Sequence, residues 1–267
     1  MIRRVSYRNS TQIMKKDLIF TPGLGYTPVV VKEKRVLDDA TVEEIKKYTG
    51  YDPVPEVYVI DADPEYLDLL RKSGFSVNPL SHEDIIPIML KIYNPAAISR
   101  KYRVYGKGVA TSYPPLGYYD EERMRVFVYE PVSNNLGILV HENVHHALNI
   151  ESSRLRELAM VDESVAGFCE VLAELNCPPT PLQLLAKALQ EHKILDQLTY
   201  IVKATGVEDE IQVREYGGLP EPVAIFATLV SLIEEMDINP CDVAGIIRGE
   251  KCVKDYGLFY IIGKCEA

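Results

Sequence analysis

The stretch Val140-His141-Glu142-Asn143-Val144-His145-His146-Ala147-Leu148 gathers three of the chain's five histidines around one glutamate. On an α-helix, His141 and His145 stand four residues apart and about 40° from one another, so both imidazoles can reach one ion. Neutral imidazole suits zinc at about 2.0–2.1 Å, and a hydrolytic zinc site needs only three protein ligands and a water. Glu142 lies about 100° round from His141, outside the ligand pair but near enough to take a proton from that water. The spacing therefore predicts zinc on His141 and His145, with Glu142 as general base. His146, about 140° from His141, cannot easily join the same ion and is expected to pack or support. The plainer alternative is a pair of core histidines satisfied by ordinary hydrogen bonds. Leu136, Ile138, Leu139, Val140, Val144, Ala147 and Leu148 surround the helix, so it should be buried, and buried imidazoles need partners.

The elements that must position this stretch fall into two regions. Residues 1–133 mix strands and helices, and residues 134–267 read as the active-site helix followed by a helical C-terminal lobe, the two forming one compact unit. In the first region helices are expected over 39–50, 64–72 and 81–91, and strands over 56–61, 101–106 and 124–130. Pro22 to Tyr26, "PGLGY", reads as a turn. In the second, helices are expected near 134–150, 153–176, 181–204, 221–236 and 239–248. The fold class is α+β, with a small mixed or antiparallel sheet in the N-terminal half. Strand 124–130, just before the histidine helix, reads either as a sheet edge on which an extended peptide can pair or as an ordinary interior strand.

The next helix supplies a carboxylate. Its apolar seam runs through Leu158, Val161, Val165, Phe168, Leu172 and Leu175, and Glu163 points away from it. Yet Ala159, Met160, Ala166 and Gly167, which share the Glu163 face, are small or apolar. A second element should approach there, and a lone carboxylate at such a contact should be paired or bound to metal.

These residues resemble the gluzincin zinc metallopeptidases, whose familiar members are the thermolysin-like enzymes. That group pairs a His-Glu-x-x-His helix with a glutamate ligand on a following helix. Here His141, Glu142, His145 and Asp162-Glu163-Ser164 fit the plan, with 18 residues from His145 to Glu163. The resemblance covers residues 124–176 and implies a zincin-like fold, one zinc on His141, His145 and Glu163, Glu142 as base, and hydrolysis of a peptide or protein substrate. Asp162 and Glu170 compete with Glu163 for the ion. Glu163 is favoured because it is long, is flanked by small residues and matches the family interval, whereas Glu174, one turn beyond Glu170, suggests a solvated end. The chain departs from the family at Gly167, where an aspartate often orients a ligand histidine, so Asp162 and Glu170 are the substitutes for that role. The family's downstream oxyanion histidine has no obvious counterpart. Tyr216, in "REYGGLPEP", and His192 are the weak candidates, although His192 reads better as a boundary histidine paired with Asp196. The segment after the motif also looks faintly like that of regulatory peptidases of the ImmA/IrrE type. Leu148 and Glu151 exclude the longer metzincin pattern.

At 267 residues, 47% of them hydrophobic, the chain can bury a sizeable core. A net charge of -10 disfavours nucleic acid as a partner. Arg3, Arg4, Arg8, Lys15 and Lys16 are expected in a solvated terminal segment, with a small basic patch as the alternative. The N-terminus has no apolar run of signal length, and the longest apolar run, Val223 to Ile233, is too short to span a bilayer, so no membrane partner and a cytoplasmic location are expected. Five cysteines without a Cys-x-x-Cys pair predict reduced core thiols, with one disulfide possible among Cys241, Cys252 and Cys265. The alternative to an enzyme is a non-catalytic zinc-binding or regulatory protein. Glu142 separates the two, since an inert zinc site needs no carboxylate beside its water.

Overall fold

The structure, a computed structural model, describes residues 3–78, 102–106, 109–150, 159–177, 202–204, 239–247, 253–255 and 259–262. The N-terminal segment is mostly exposed, as expected, but it is ordered as a strand. Strand β1 (Tyr7–Thr21) and strand β2 (Gly25–Leu37) form a long antiparallel hairpin, closed at the expected "PGLGY" turn with Gly23 and Gly25 at positive φ. The pattern was hard to read because β1 is mostly exposed and carries few apolar residues. Its cations do not form a free basic patch either. Arg3 pairs with Glu44, Arg8 with Asp39, and Lys16 with Asp63 and Glu65.

Helix α1 (Asp39–Thr49) is capped by Asp38, whose side chain accepts from Thr41 N at 2.8 Å, and it stops at Gly50 in the left-handed region. Strand β3 (Glu56–Ala62) follows, then helix α2 (Pro64–Lys72), capped by Asp63. Strands β4 (Ser76–Asn78), β5 (Arg103–Gly106) and β6 (Val109–Ser112) make an antiparallel sheet, with β5 in the centre. Strands β7 (Gly117–Asp120) and β8 (Arg125–Tyr129) complete a mixed five-stranded sheet in the order β1-β2-β3-β8-β7, in which β3 and β8 are parallel. Of the two readings of strand 124–130, β8 is therefore the interior strand and not the sheet edge. Its run Val126-Phe127-Val128 is buried on both faces, as an interior strand requires, and β7 ends the sheet on that side.

Helix α3 (Leu136–Ile150) carries the histidines, and helix α4 (Ala159–Glu174) lies against it. Asn135 begins α3: its Oδ1 accepts from Gly137 N at 2.7 Å, satisfying a donor that the first turn leaves without a partner. One face of the large sheet, through Val57, Val126 and Val128, packs on α1, α3 and α4. The other, through Tyr58, Ile60 and Phe127, packs on α2 and the β4–β6 sheet. Alternation along β3 and β8 thus builds two cores from one sheet.

The C-terminal region is not wholly helical. Helix α5 (Pro240–Ile247) is present as expected, but strand β9 (Val202–Ala204) stands where the 181–204 helix was to end, and it pairs through strand β11 (Phe259–Ile262) with strand β10 (Val253–Asp255). The helices expected over 81–91, 221–236 and most of 181–204, and the first residues of 153–176, lie outside the described residues. A disulfide joins Cys177, just after α4, to Cys241 on α5, so Cys241 pairs with neither of the other late cysteines, Cys252 and Cys265, which lie outside the described residues; Cys169 is a buried free thiol. Among the described residues no helix is long and apolar enough to cross a membrane.

Candidate metal centre

Helix α3 presents His141 and His145 on the face that meets α4, with ring centroids 4.9 Å apart. Glu163 reaches both: its Oε2 is 3.4 Å from His141 Nε2 and its Oε1 is 3.6 Å from His145 Nε2. Ligand atoms from these three residues lie within 4.8 Å of one another, so the group could hold a metal ion. Bonds of about 2.0–2.1 Å in a tetrahedron place ligand atoms roughly 3.3–3.4 Å apart, close to both nitrogen–oxygen separations. Glu163 is 68% exposed at its side chain, which leaves an approach to the ion from solvent.

Each imidazole has a second carboxylate on its other nitrogen. Glu170 Oε2 is 2.9 Å from His141 Nδ1, and Asp162 Oδ1 is 2.8 Å from His145 Nδ1. Glu170 can accept from His141 Nδ1–H, which leaves that ring's Nε2 lone pair for an ion, whereas Asp162 Oδ1 stands at ion-pair distance from His145 Nδ1 without hydrogen-bond geometry. Asp162 and Glu170 thus each lie beside the Nδ1 side of one of the two rings. The expectation of a solvated end beyond Glu170 is wrong. Glu170 is buried, and Glu174 packs against the start of α3, accepting from Asn135 Nδ2 at 3.2 Å. A Cβ on Gly137 would come within 2.5 Å of Glu174 Cγ, so glycine there permits the approach.

The electrostatics suit a cation. Burial opposes a charge on His141, but hydrogen bonds to Glu163 and Glu170 outweigh it and raise its pKa well above the usual imidazole value. Burial also opposes charge on His145, and the Asp162 contact raises its pKa. Desolvation pushes Glu163 up, whereas the hydrogen bond and charge of His141, with the charge of His145, bring it down to about 2. Glu142 is 5% exposed, and burial pushes its carboxyl up to about 7 against the pull of His141 and His145.

Glu142 and His141 open onto a cavity of about 320 Å³ between α3 and the β4–β6 sheet. Gly117, at the start of β7, forms part of its wall, and a Cβ there would overlap the Glu142 carboxylate. Nothing in the sequence marks Gly117, because its role depends on how closely α3 approaches. His146 takes the expected packing role. The Tyr119 hydroxyl accepts from Asn149 Nδ2 at 2.9 Å and lies within hydrogen-bond distance, 2.9 Å, of His146 Nδ1; burial lowers the His146 pKa. Asn143 ties the helix to the loop before β3, donating to Leu139 O at 2.7 Å and accepting from Val54 N at 2.8 Å. Tyr216 and His192 lie outside the described residues.

Comparison with protein-family models, curated proteins and solved structures finds no match for this chain.

Proposed function

We propose that the protein is a zinc-dependent peptidase with a gluzincin-like, zincin-type site, in which His141, His145 and Glu163 bind zinc and Glu142 is the general base. The observation that carries this reading is the paired orientation of the two imidazoles: both Nε2 atoms face Glu163, while each Nδ1 has its own carboxylate. A histidine pair serving only the core has no need for five groups converging in this way. When bound, zinc supplies Lewis acidity, lowering the pKa of a water and polarising the scissile carbonyl. Glu142 takes a proton from the attacking water and delivers it to the departing amine nitrogen, so the peptide and one water become a carboxylic acid and an amine. Burial of Glu142 raises its affinity for a proton, the direction a general base requires. Glu170 favours the His141 tautomer that leaves Nε2 free, and the Asp162 carboxylate beside His145 Nδ1 favours a proton on that nitrogen. Strand β7, which ends the sheet beside the cavity, is the edge on which an extended substrate pairs.

The test is hydrolysis of a broad peptide library by zinc-loaded wild type and Glu142→Gln. The amide is nearly isosteric and cannot act as a base, so the variant should keep its zinc and lose turnover. Equal turnover in the two proteins removes the mechanism. A zinc-loaded wild type that cleaves nothing favours the non-catalytic zinc-binding alternative.

A further inference from the structure

One wall of the cavity beside Glu142 has no task in the chemistry above. Arg103 lies on β5, the central strand of its sheet. The next residue, Val104, is 1% exposed and belongs to the core shared with α2, so strand alternation turns Arg103 to the opposite face. Ser112 is its register partner on β6 and shares that face. Both side chains line the cavity, whose far side is formed by His141, Glu142 and Glu170. Pro115, Leu116 and Ile138 add apolar walls.

Arg103 differs from five of the seven other described arginines of this acidic chain. Arg3, Arg8, Arg35, Arg71 and Arg123 each stand within ion-pair distance of a carboxylate. Among the described residues no carboxylate pairs with Arg103. A partly buried guanidinium carries a desolvation cost that a partner normally offsets, and its fixed fork of donors matches a carboxylate in two-point contact. Two adjacent strands hold β5, so the fork is presented from a rigid base. The cavity has room for one substrate side chain but not for a folded segment. Its remaining charged walls are acidic or imidazole, so Arg103 decides whether an anion is accepted.

We infer that this cavity is a specificity subsite for a carboxylate on the substrate residue next to the scissile bond, and that Arg103 is the residue that reads it. The inference rests on the peptidase reading for what it says of substrate, while the site's preference can be measured without turnover. The carboxylate has two sources, an Asp or Glu side chain or the free end of a peptide.

Three malonyl hydroxamates separate these sources, since all carry the same zinc-binding group. One is joined to glutamic acid amide, one to alanine with a free carboxylate, and one to glutamine amide. Calorimetric titration into the zinc-loaded protein is expected to show one carboxylate probe binding about tenfold or more tighter than the glutamine probe, as a charge-assisted hydrogen-bond pair implies. The tighter of the two names the source. In Arg103→Gln the preference should vanish or reverse, and in Arg103→Lys part of it should remain; zinc content and circular dichroism check that both variants are folded and loaded. Equal binding of all three probes to the wild type overturns the inference, as does a preference that survives in Arg103→Gln, or no binding of any probe to a protein that holds zinc. A protein that discriminates but hydrolyses nothing keeps the subsite and loses the peptidase reading. One that cleaves peptides without discriminating loses only the subsite.

Discussion

At the scale of residues, the division of labour on α4 makes Glu163 distinct from its neighbours. Only Glu163 faces both Nε2 atoms, while Asp162 and Glu170 hold the Nδ1 side of one ring each. Zinc competition titration should therefore show a severe loss of affinity in Glu163→Ala and losses of about 10- to 100-fold in Asp162→Ala and Glu170→Ala. Proton linkage gives a second expectation. In the metal-free protein the surrounding carboxylates favour the protonated form of both imidazoles in the proposed ligand set, and any such protons must leave when zinc binds. Affinity should rise from pH 6 to pH 8, with up to two protons released per zinc in buffers of different ionisation enthalpy; a pH-independent affinity contradicts the ligand assignment. His141, Glu142 and His145 were legible from spacing alone because a helix fixes what four residues mean. Glu163 was legible from the small residues beside it. The supporting acids were visible only as candidates, since a sequence does not say which ring nitrogen a carboxylate meets.

At the scale of elements, the contact between α3 and α4 sets the geometry, and Glu174 is its most unusual member. Burial, reinforced by the charge of Glu170, pushes the Glu174 carboxyl from 4.5 up to about 9. A carboxyl with a raised folded pKa is content while protonated. Its contribution is therefore fully present below pH 4.5 and is lost as pH rises towards 9, with a slope of at most about 1.4 kcal/mol per pH unit. Urea unfolding at pH 5.5 and pH 8.5 should show wild type losing more stability over that interval than Glu174→Gln, which keeps an acceptor for Asn135 and cannot ionise. Equal losses would show that Glu174 is not the group responsible. Helices α1, α2, α3 and α5 and strands β3, β5 and β8 were legible from caps, glycine stops and apolar runs. The β1–β2 hairpin was not, because an exposed strand rich in polar residues lacks the alternation that reveals a strand. Nor was the interior place of β8, since strand order depends on partners far away in sequence.

At the scale of the whole molecule, one large sheet shared by two cores carries the histidine helix on one face and the Arg103 sheet on the other, and the cavity lies where the two meet. The Cys177–Cys241 link ties the end of α4 to α5 across 64 residues. A loop of that length contributes about 4 kcal/mol in the chain-entropy picture, within a usual range of about 2–4. Cys177→Ala with Cys241→Ala should lower stability by an amount of that order in chemical denaturation while the zinc stoichiometry stays unchanged, because neither cysteine is near the ligands in the proposed set. The central claim is the ligand set itself, and X-ray absorption at the zinc edge of the loaded protein reads it most directly. The account predicts one zinc per chain with nitrogen and oxygen neighbours at about 2.0–2.1 Å and the multiple-scattering signature of two imidazoles. A sulfur shell near 2.3 Å, a single imidazole, or a protein that cannot be loaded with zinc would contradict it.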